Sequence, residues 1–334
     1  MSYKLSGVSW EITSKCNLHC IHCISSAGQE KPNELSTQEG LKLIEELSDL
    51  GCQFIALSGG EPFLRKDWGV LARKARDLKM DIAILSNGTV ISDDDIDVLY
   101  YLEPSSAMFS LDGVRATHDT IRGQPGAFDR TINVVNKCAK RGVKTSVSTT
   151  LNQRNKSELN DLLSLLSGRG IQAWQIGIAL PGGRLPPEDV LSERDYYALA
   201  EQIVALRKKR NTNPKIVEGD CFGCYSRLSP YLDMQKWPGC QCGISMLSIE
   251  SDGGVKGCPN VKQMEGNIRQ TSIKDIWNDR NAFAYNRRFD SSMLRGDCTL
   301  CKYGNICRGG CPVNCRTASG GPYCLHKIET VGYD

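Results

Sequence analysis

The chain has 334 residues, 41 of them basic and 38 acidic, for a net charge of +3. That balance is too weak to drive nucleic-acid binding by electrostatics, and no run of about 18 apolar residues offers a membrane span. The N-terminus, Met1-Ser2-Tyr3-Lys4-Leu5, is too short and too polar ahead of Trp10 and Glu11 for a signal peptide, so a cytoplasmic setting is expected, and there 16 cysteines point to metal ligation or catalysis, not disulfides.

Val8-Ser9-Trp10-Glu11-Ile12-Thr13 alternates apolar and polar residues as a strand does. It leads into Cys16-Asn17-Leu18-His19-Cys20-Ile21-His22-Cys23, three cysteines spaced C-x3-C-x2-C. One loop can bring such thiolates to one inorganic cluster. A cubane iron–sulfur cluster held wholly by protein takes four cysteines, so three leave one iron open to another ligand. Ser36-Thr37-Gln38-Glu39 fits a helix capping box. Leu41, Ile44, Leu47 and Leu50 follow at helical spacing, and Gly51 stops the helix. Residues 54–58 form a short buried strand that runs into Gly59-Gly60-Glu61-Pro62. The alternation repeats, with helices at 66–79, 92–101, 127–141 and 156–168 between strands at 81–86, 106–111, 143–150 and 172–178.

Six strand–helix units, or nearly so, predict an α/β fold with a parallel sheet and helices outside. Ligands in such folds bind at the carboxyl ends of the strands. The cysteine loop, Gly59-Gly60-Glu61-Pro62, Ser86-Asn87-Gly88 and Ser110-Leu111-Asp112-Gly113 all fall there. Gly59 and Gly60 permit close backbone approach to a ligand, and Glu61 offers a carboxylate to an ammonium. Ser110 and Arg122 suit a carboxylate, Arg122 as a two-pronged donor.

Cys52 and Cys138 stand alone and read as buried small hydrophobes. Residues 182–187 read as a loop, and 192–210 as a helix capped by Ser192. Asn211-Thr212-Asn213-Pro214 is the best boundary, dividing a domain of 1–210 from one of 211–334. Past it come Cys221, Cys224, Cys240, Cys242, Cys258, Cys298, Cys301, Cys307, Cys311, Cys315 and Cys324. From spacing alone, zinc is an alternative ligand for these.

Cys16, Cys20 and Cys23, followed by Gly59-Gly60-Glu61-Pro62, resemble the radical S-adenosylmethionine (SAM) superfamily, whose fold is a partial (β/α)6 TIM-like barrel. The resemblance implies a [4Fe-4S] cluster on the three cysteines, with the amino and carboxylate groups of SAM on the open iron. It implies that Gly59, Gly60, Glu61 and Pro62 steady the amino group, that Ser110 and Arg122 hold the carboxylate, that Asn87 meets the ribose, and that backbone near Ile178 to Leu180 faces the adenine. The cysteine order from Cys240 onward resembles the SPASM extension of this superfamily, with residues 249–255 as its hairpin and Ser272 to Trp277 as its linking helix. That pattern gives Cys298, Cys301, Cys307 and Cys324 an outer auxiliary [4Fe-4S] cluster and Cys240, Cys258 and Cys311 an inner one. The inner cluster's fourth ligand is open among Cys242, Cys221 and Cys224. Cys315 is extra, as a free thiol or an alternative ligand.

The implied chemistry is reductive cleavage of SAM to a 5′-deoxyadenosyl radical, abstraction of a substrate hydrogen, and a net oxidation assisted by the auxiliary clusters. The expected substrate is a ribosomally made peptide, and the expected reductant a flavodoxin- or ferredoxin-type protein. Sulfatase-maturing relatives carry an aspartate after the cysteine matching Cys258; Pro259-Asn260 stands here, which argues against that activity. Only 15 residues precede Cys16, so either a leader peptide would need a separate binding protein or the substrate carries no leader. Modification of a small molecule such as a tetrapyrrole side chain is the alternative. An iron–sulfur electron carrier is the alternative from another class, but it has no need of Gly59-Gly60-Glu61-Pro62 or Arg122.

Overall fold

The strand ahead of the cysteine loop, β1 (Gly7–Thr13), buries Val8, Trp10 and Ile12 completely, as its alternation predicts. The computed structural model describes residues 3–209, 213–219, 222, 225–232, 239–311 and 323–333. In it β2 (Phe54–Gly59), β3 (Asp81–Ser86), β4 (Ser106–Ser110), β5 (Thr145–Leu151) and β6 (Ala173–Ile178) follow β1 in order, each parallel to its neighbour. Trp10 lies opposite Leu57, Leu57 opposite Ile84 and Ile84 opposite Ala107, all four buried in one apolar layer. This is the parallel sheet of a partial TIM-type barrel. Its strands end on one rim.

The helices between them are α1 (Thr37–Asp49), α2 (Trp68–Asp77), α3 (Asp93–Leu102), α4 (Arg115–Arg122), α5 (Ala127–Arg141), α6 (Leu159–Leu166) and α7 (Glu193–Lys208). Ser36 and Glu39 form the capping box that starts α1. The sequence pattern missed α4, because Arg-Ala-Thr-His-Asp-Thr-Ile-Arg has one large apolar residue; the helix nonetheless buries His118, Ile121 and Arg122. Helix α6 starts later than 156. Asn152 N donates to Asn155 Oδ1 (2.8 Å) and Asn155 Nδ2 to Thr150 O (3.0 Å), and these local bonds hold a turn in competition with the helix.

Strand β7 (Lys215–Glu218) was also not predicted; it adds in parallel to β6. On the other side of the sheet, β8 (Met246–Ile249) pairs in parallel with β1, followed by antiparallel β9 (Gly254–Lys256) and β10 (Gly266–Asn267). The order is β10-β9-β8-β1-β2-β3-β4-β5-β6-β7. The hairpin of the cysteine-rich part thus extends the barrel sheet. Helix α8 (Ile273–Asn278), capped by Ser272, sits where the linking helix was expected, and α9 (Ala284–Arg287), α10 (Gly304–Cys307) and α11 (Leu325–Val331) follow. Arg269 clasps the barrel through both carboxylate oxygens of Glu39 (2.6 and 2.9 Å) and the carbonyls of Asn33 and Glu34.

Cys52 and Cys138 are buried, and burial pushes their thiols up to about 11 and about 12. Cys221, Cys224 and Cys315 lie outside the described residues, as do Asn211 and Thr212 of the expected boundary. Among the described residues no helix is long and apolar enough to cross a membrane.

Candidate active site

The cysteine loop is held from three sides. Cys16 N donates to Gly28 O (2.8 Å) and Ile21 N to Ile121 O (2.9 Å). Arg184, from the loop after β6, donates through Nε to Cys20 O (2.9 Å), through Nη1 to Ala27 O (2.8 Å) and through its backbone N to Cys23 O (3.1 Å). Neighbouring Gly183 has φ +55° and passes so close that a Cβ would lie 2.2 Å from Cys23 O. Sequence reasoning gave the 182–187 loop no role. The Gly-Gly-Arg triplet after the sixth strand was the available signal.

Gly59-Gly60-Glu61-Pro62 packs on the same loop. Gly60 N donates to Thr13 O (2.7 Å) and Glu61 N to Lys15 O (2.8 Å). A Cβ on Gly59 would sit 2.2 Å from Thr13 O, and one on Gly60 2.2 Å from Lys15 O. The close approach these glycines permit is to the chain's own backbone. Pro62 opens a short 3-10 turn (Pro62–Leu64) capped by the Glu61 side chain. The Glu61 carboxylate points inward: it accepts from Ser86 Oγ (2.8 Å), Asn87 N (2.8 Å) and Phe63 N (3.3 Å). Burial pushes its carboxyl up to about 7 against those bonds. Asn87 Nδ2 donates to Asn17 Oδ1 (3.0 Å) and lies 4.0 Å from Cys16 Sγ.

Arg122 closes α4 and is buried. Its Nη2 is 2.6 Å from Asp112 Oδ2, and its Nη1 is 3.6 Å from Cys20 Sγ. Both terminal nitrogens are therefore engaged inside the protein. Ser110 is half-buried at the end of β4. Ile178 ends β6, and Leu180 packs against the core two residues on. Asp112, His22 and His118, which the sequence reading did not single out, complete the buried group: His22 Nε2 is 3.3 Å from Asp112 Oδ2, and Asp112 N donates to His118 Nδ1 (3.0 Å).

These residues fit a metal cluster. Burial, and after it the proximity of Cys20, Glu61 and Cys23, pushes the Cys16 thiol up to about 11. Binding iron as thiolates relieves that crowding of potential charges. Leu18 N, 3.5 Å from Cys16 Sγ, and Arg122 are donors of the kind that stabilise thiolate sulfur.

The C-terminal cysteines form two groups. Cys298 is pushed up to about 11 by burial and then by Cys324, Cys307 and Cys301; burial also raises Cys324, with Cys307 and Cys301 adding. Separately, Cys242 hydrogen-bonds Cys240 and Cys258, which raises Cys242 and brings Cys258 down to about 7. Cys311 is half-buried and is not among the strongest electrostatic neighbours of Cys298 or Cys324. Among the described residues no three Cys, His, Asp or Glu side chains close on a single metal ion, the arrangement that a tetrahedral zinc site requires.

A cavity of about 620 Å³ lies between the cysteine loop and the second group. Ile24, Ser25, Gly60 and Gly183 line one side; Pro259, Asn260 and Tyr285 line the other. Lys31 bridges Glu250 and Asp252 (3.2 Å each), and Lys256 binds Glu250 (2.6 Å). Glu11 of β1 also reaches the cavity. Burial pushes its carboxyl up, Lys256 opposes this, and no hydrogen bond enters the balance.

The radical SAM superfamily model matches residues 10–166, and the SPASM iron–sulfur cluster-binding domain model matches 240–311. The Fe-coproporphyrin III synthase of Methanosarcina barkeri is 30% identical over 98% of this chain and 89% of its own. The chain belongs to the radical SAM superfamily. Its cofactors are SAM and a [4Fe-4S] cluster, with auxiliary clusters in the SPASM domain. An AdoMet-dependent heme synthase of the same organism is 29% identical, covering 96% of both chains. The mycofactocin maturase MftC of Mycobacterium tuberculosis is also 29% identical, over 91% of this chain and 77% of its own. Among solved structures, Streptococcus suis SuiB bound to S-adenosylmethionine shares the fold, with a TM-score of 0.79 at 19% identity over 96% of this chain and 76% of that one.

Proposed function

We propose that this radical SAM enzyme carries out a net two-electron oxidation, a cross-link or a dehydrogenation, on a ribosomally made peptide seated in the cavity between Ile24 and Tyr285. The observation that carries the proposal is the cavity itself, which touches both the cysteine loop and the flank of Cys258. The cofactors supply, when bound, one-electron cleavage of SAM, a radical that takes a substrate hydrogen, and acceptance of the remaining electron. Cys16, Cys20 and Cys23 hold the cluster that binds SAM. The 59–62 turn, Asn87, Ser110 and the backbone near Ile178 and Leu180 surround SAM. Cys298, Cys301, Cys307 and Cys324 hold the outer auxiliary cluster, and Cys240, Cys242, Cys258 and Cys311 the inner one. Residues 1–210 form the barrel domain and 211–334 the SPASM domain. Glu11 is the carboxylate placed to take the proton that such an oxidation releases from the substrate.

The cavity's charge supports a peptide. Lys31 and Lys256 are both paired with Glu250, and Lys31 also with Asp252. A tetrapyrrole carrying several propionates would need several cations that are not already neutralised, and of the three lining lysines Lys262 alone makes no ion pair among the described residues. A second reading, modification of a tetrapyrrole side chain, is favoured by the two Methanosarcina barkeri relatives that match over nearly the whole chain.

The test is anaerobic reconstitution followed by dithionite and SAM. 5′-Deoxyadenosine should form, whereas a mere electron carrier would form none. Short peptides encoded beside the gene should then lose two hydrogen masses. Conversion of iron coproporphyrin III with no change in any peptide would overturn the peptide reading and leave the second one standing.

A further inference from the structure

Arg122 lies where α4 meets the cysteine loop, and its two terminal nitrogens divide between two anionic partners. Nη2 is 2.6 Å from Asp112 Oδ2, and Nη1 is 3.6 Å from Cys20 Sγ. Asp112 is fully buried and held in place: Thr150 N donates to its Oδ1 (2.9 Å), and Asn155 Nδ2 donates to its carbonyl (2.7 Å). Two histidines stand beside it: His22 Nε2, from the cysteine loop, lies 3.3 Å from the same Oδ2, and His118 Nδ1, from α4, accepts from Asp112 N (3.0 Å). Burial alone would raise the Asp112 carboxyl, but Arg122, and after it His22 and His118, hold it below the usual range. At the centre of the group is an ion pair, Asp112 with Arg122, and a cysteine sulfur stands on the cation's other side.

We infer that Arg122 is a positioning residue for Cys20 and that Asp112 sets how much of its positive charge reaches the sulfur, so that the pair tunes the reduction potential of the cluster bound there. The inference rests on the assignment of a cluster to Cys16, Cys20 and Cys23. Reducing a cluster adds negative charge, and a cation hydrogen-bonded to a ligand sulfur favours the reduced form. In the dry surroundings of these buried groups, neither charge is screened as it would be in water. This differs from the role expected from sequence, in which Arg122 grips the carboxylate of SAM: both terminal nitrogens already have partners within the protein, and the buried Nε alone has none.

The pair makes a prediction of opposite sign for its two members. Potentiometric EPR on full-length reconstituted protein, without SAM, would follow the cluster signal that later addition of SAM perturbs. Arg122→Gln should move that midpoint to more negative potential. Asp112→Asn, which keeps the shape but frees the guanidinium charge, should move it to more positive potential. Arg122→Lys should restore most of the loss. Iron per chain, measured on each variant, reports whether the loop is still loaded. Opposite shifts at unchanged iron bear the inference out. Shifts of one sign, or none, overturn it. So does an unchanged midpoint with weakened SAM binding in Arg122→Gln, which would return the residue to the SAM carboxylate. Loss of loop iron in Arg122→Lys and Asp112→Asn alike would reduce the pair to a structural brace and also overturn it. A wild-type protein with no SAM-responsive signal would instead refute the cluster assignment.

Discussion

Adding one methyl group at Gly60 should separate the 59–62 turn from the cysteine loop. A Cβ there would lie 2.2 Å from Lys15 O, 2.5 Å from Lys15 C and 2.7 Å from Ser14 O. All three are backbone atoms, so no flexible side chain can swing aside. The loop must move by about 1 Å or more to restore ordinary contact distance. That movement stretches two hydrogen bonds, Gly60 N to Thr13 O at 2.7 Å and Glu61 N to Lys15 O at 2.8 Å. Each contributes about 1 kcal/mol net, and overpacking costs about 1–3 kcal/mol. Gly60→Ala should therefore cost about 3–5 kcal/mol, a large part of a typical 5–15 kcal/mol stability. Gly69→Ala in α2 is the control. Its Cβ would meet only Val98 Cγ1, at 3.4 Å, and removing a helical glycine should stabilise by about 0.5–1 kcal/mol. Apparent melting temperature and iron per chain, measured anaerobically, read both. A Gly60→Ala protein that melts with the wild type and holds full iron would refute the packing argument.

Glu61 makes a pH-dependent prediction. Its carboxyl is raised from 4.5 to about 7 by burial, so the folded state holds the proton more tightly than the unfolded one. The contribution of Glu61 to stability is then fullest below pH 4.5 and is lost, by about 3 kcal/mol, as pH rises through 7. Glu61→Gln should gain on the wild type between pH 5 and pH 8 in urea denaturation; a constant gap would count against it. Cys324→Ala should remove about four of about 12 irons per chain while the SAM-responsive signal persists. Glu11→Gln should keep forming 5′-deoxyadenosine but raise its ratio to oxidised product about tenfold or more, the scale of a lost general base; an unchanged ratio would exclude Glu11 as the proton acceptor.

The six parallel strands were legible because each is a short run with apolar residues buried at alternate positions or in a block, bounded by caps and glycines. Ser36 with Glu39 and Gly51 marked α1 to within a residue or two. Helix α4 was not legible: its buried face is made of His118, Ile121 and Arg122, and polar residues announce burial only when their partners are known. Strand β7 was missed because Lys-Ile-Val-Glu is too short to show a period. The join of β8 to β1 could not be read from either strand alone, since pairing partners leave no mark on a strand's own alternation.

The sequence by itself determined the chemistry on offer: three cysteines spaced for a cluster with an open iron, a Gly-Gly-Glu-Pro turn after the second strand, and a second set of cysteines toward the C-terminus. Residue type and spacing carry that information because ligand identity and loop reach are local properties. Only the tertiary structure decided how the charges are spent. Glu61 turns inward to Ser86 and Asn87, Arg122 divides between Asp112 and Cys20, and Arg184 clasps the loop from the far end of the barrel. A buried charge takes whatever partner folding brings within reach, because an unpartnered one is costly. Here those partners lie up to 164 residues away along the chain.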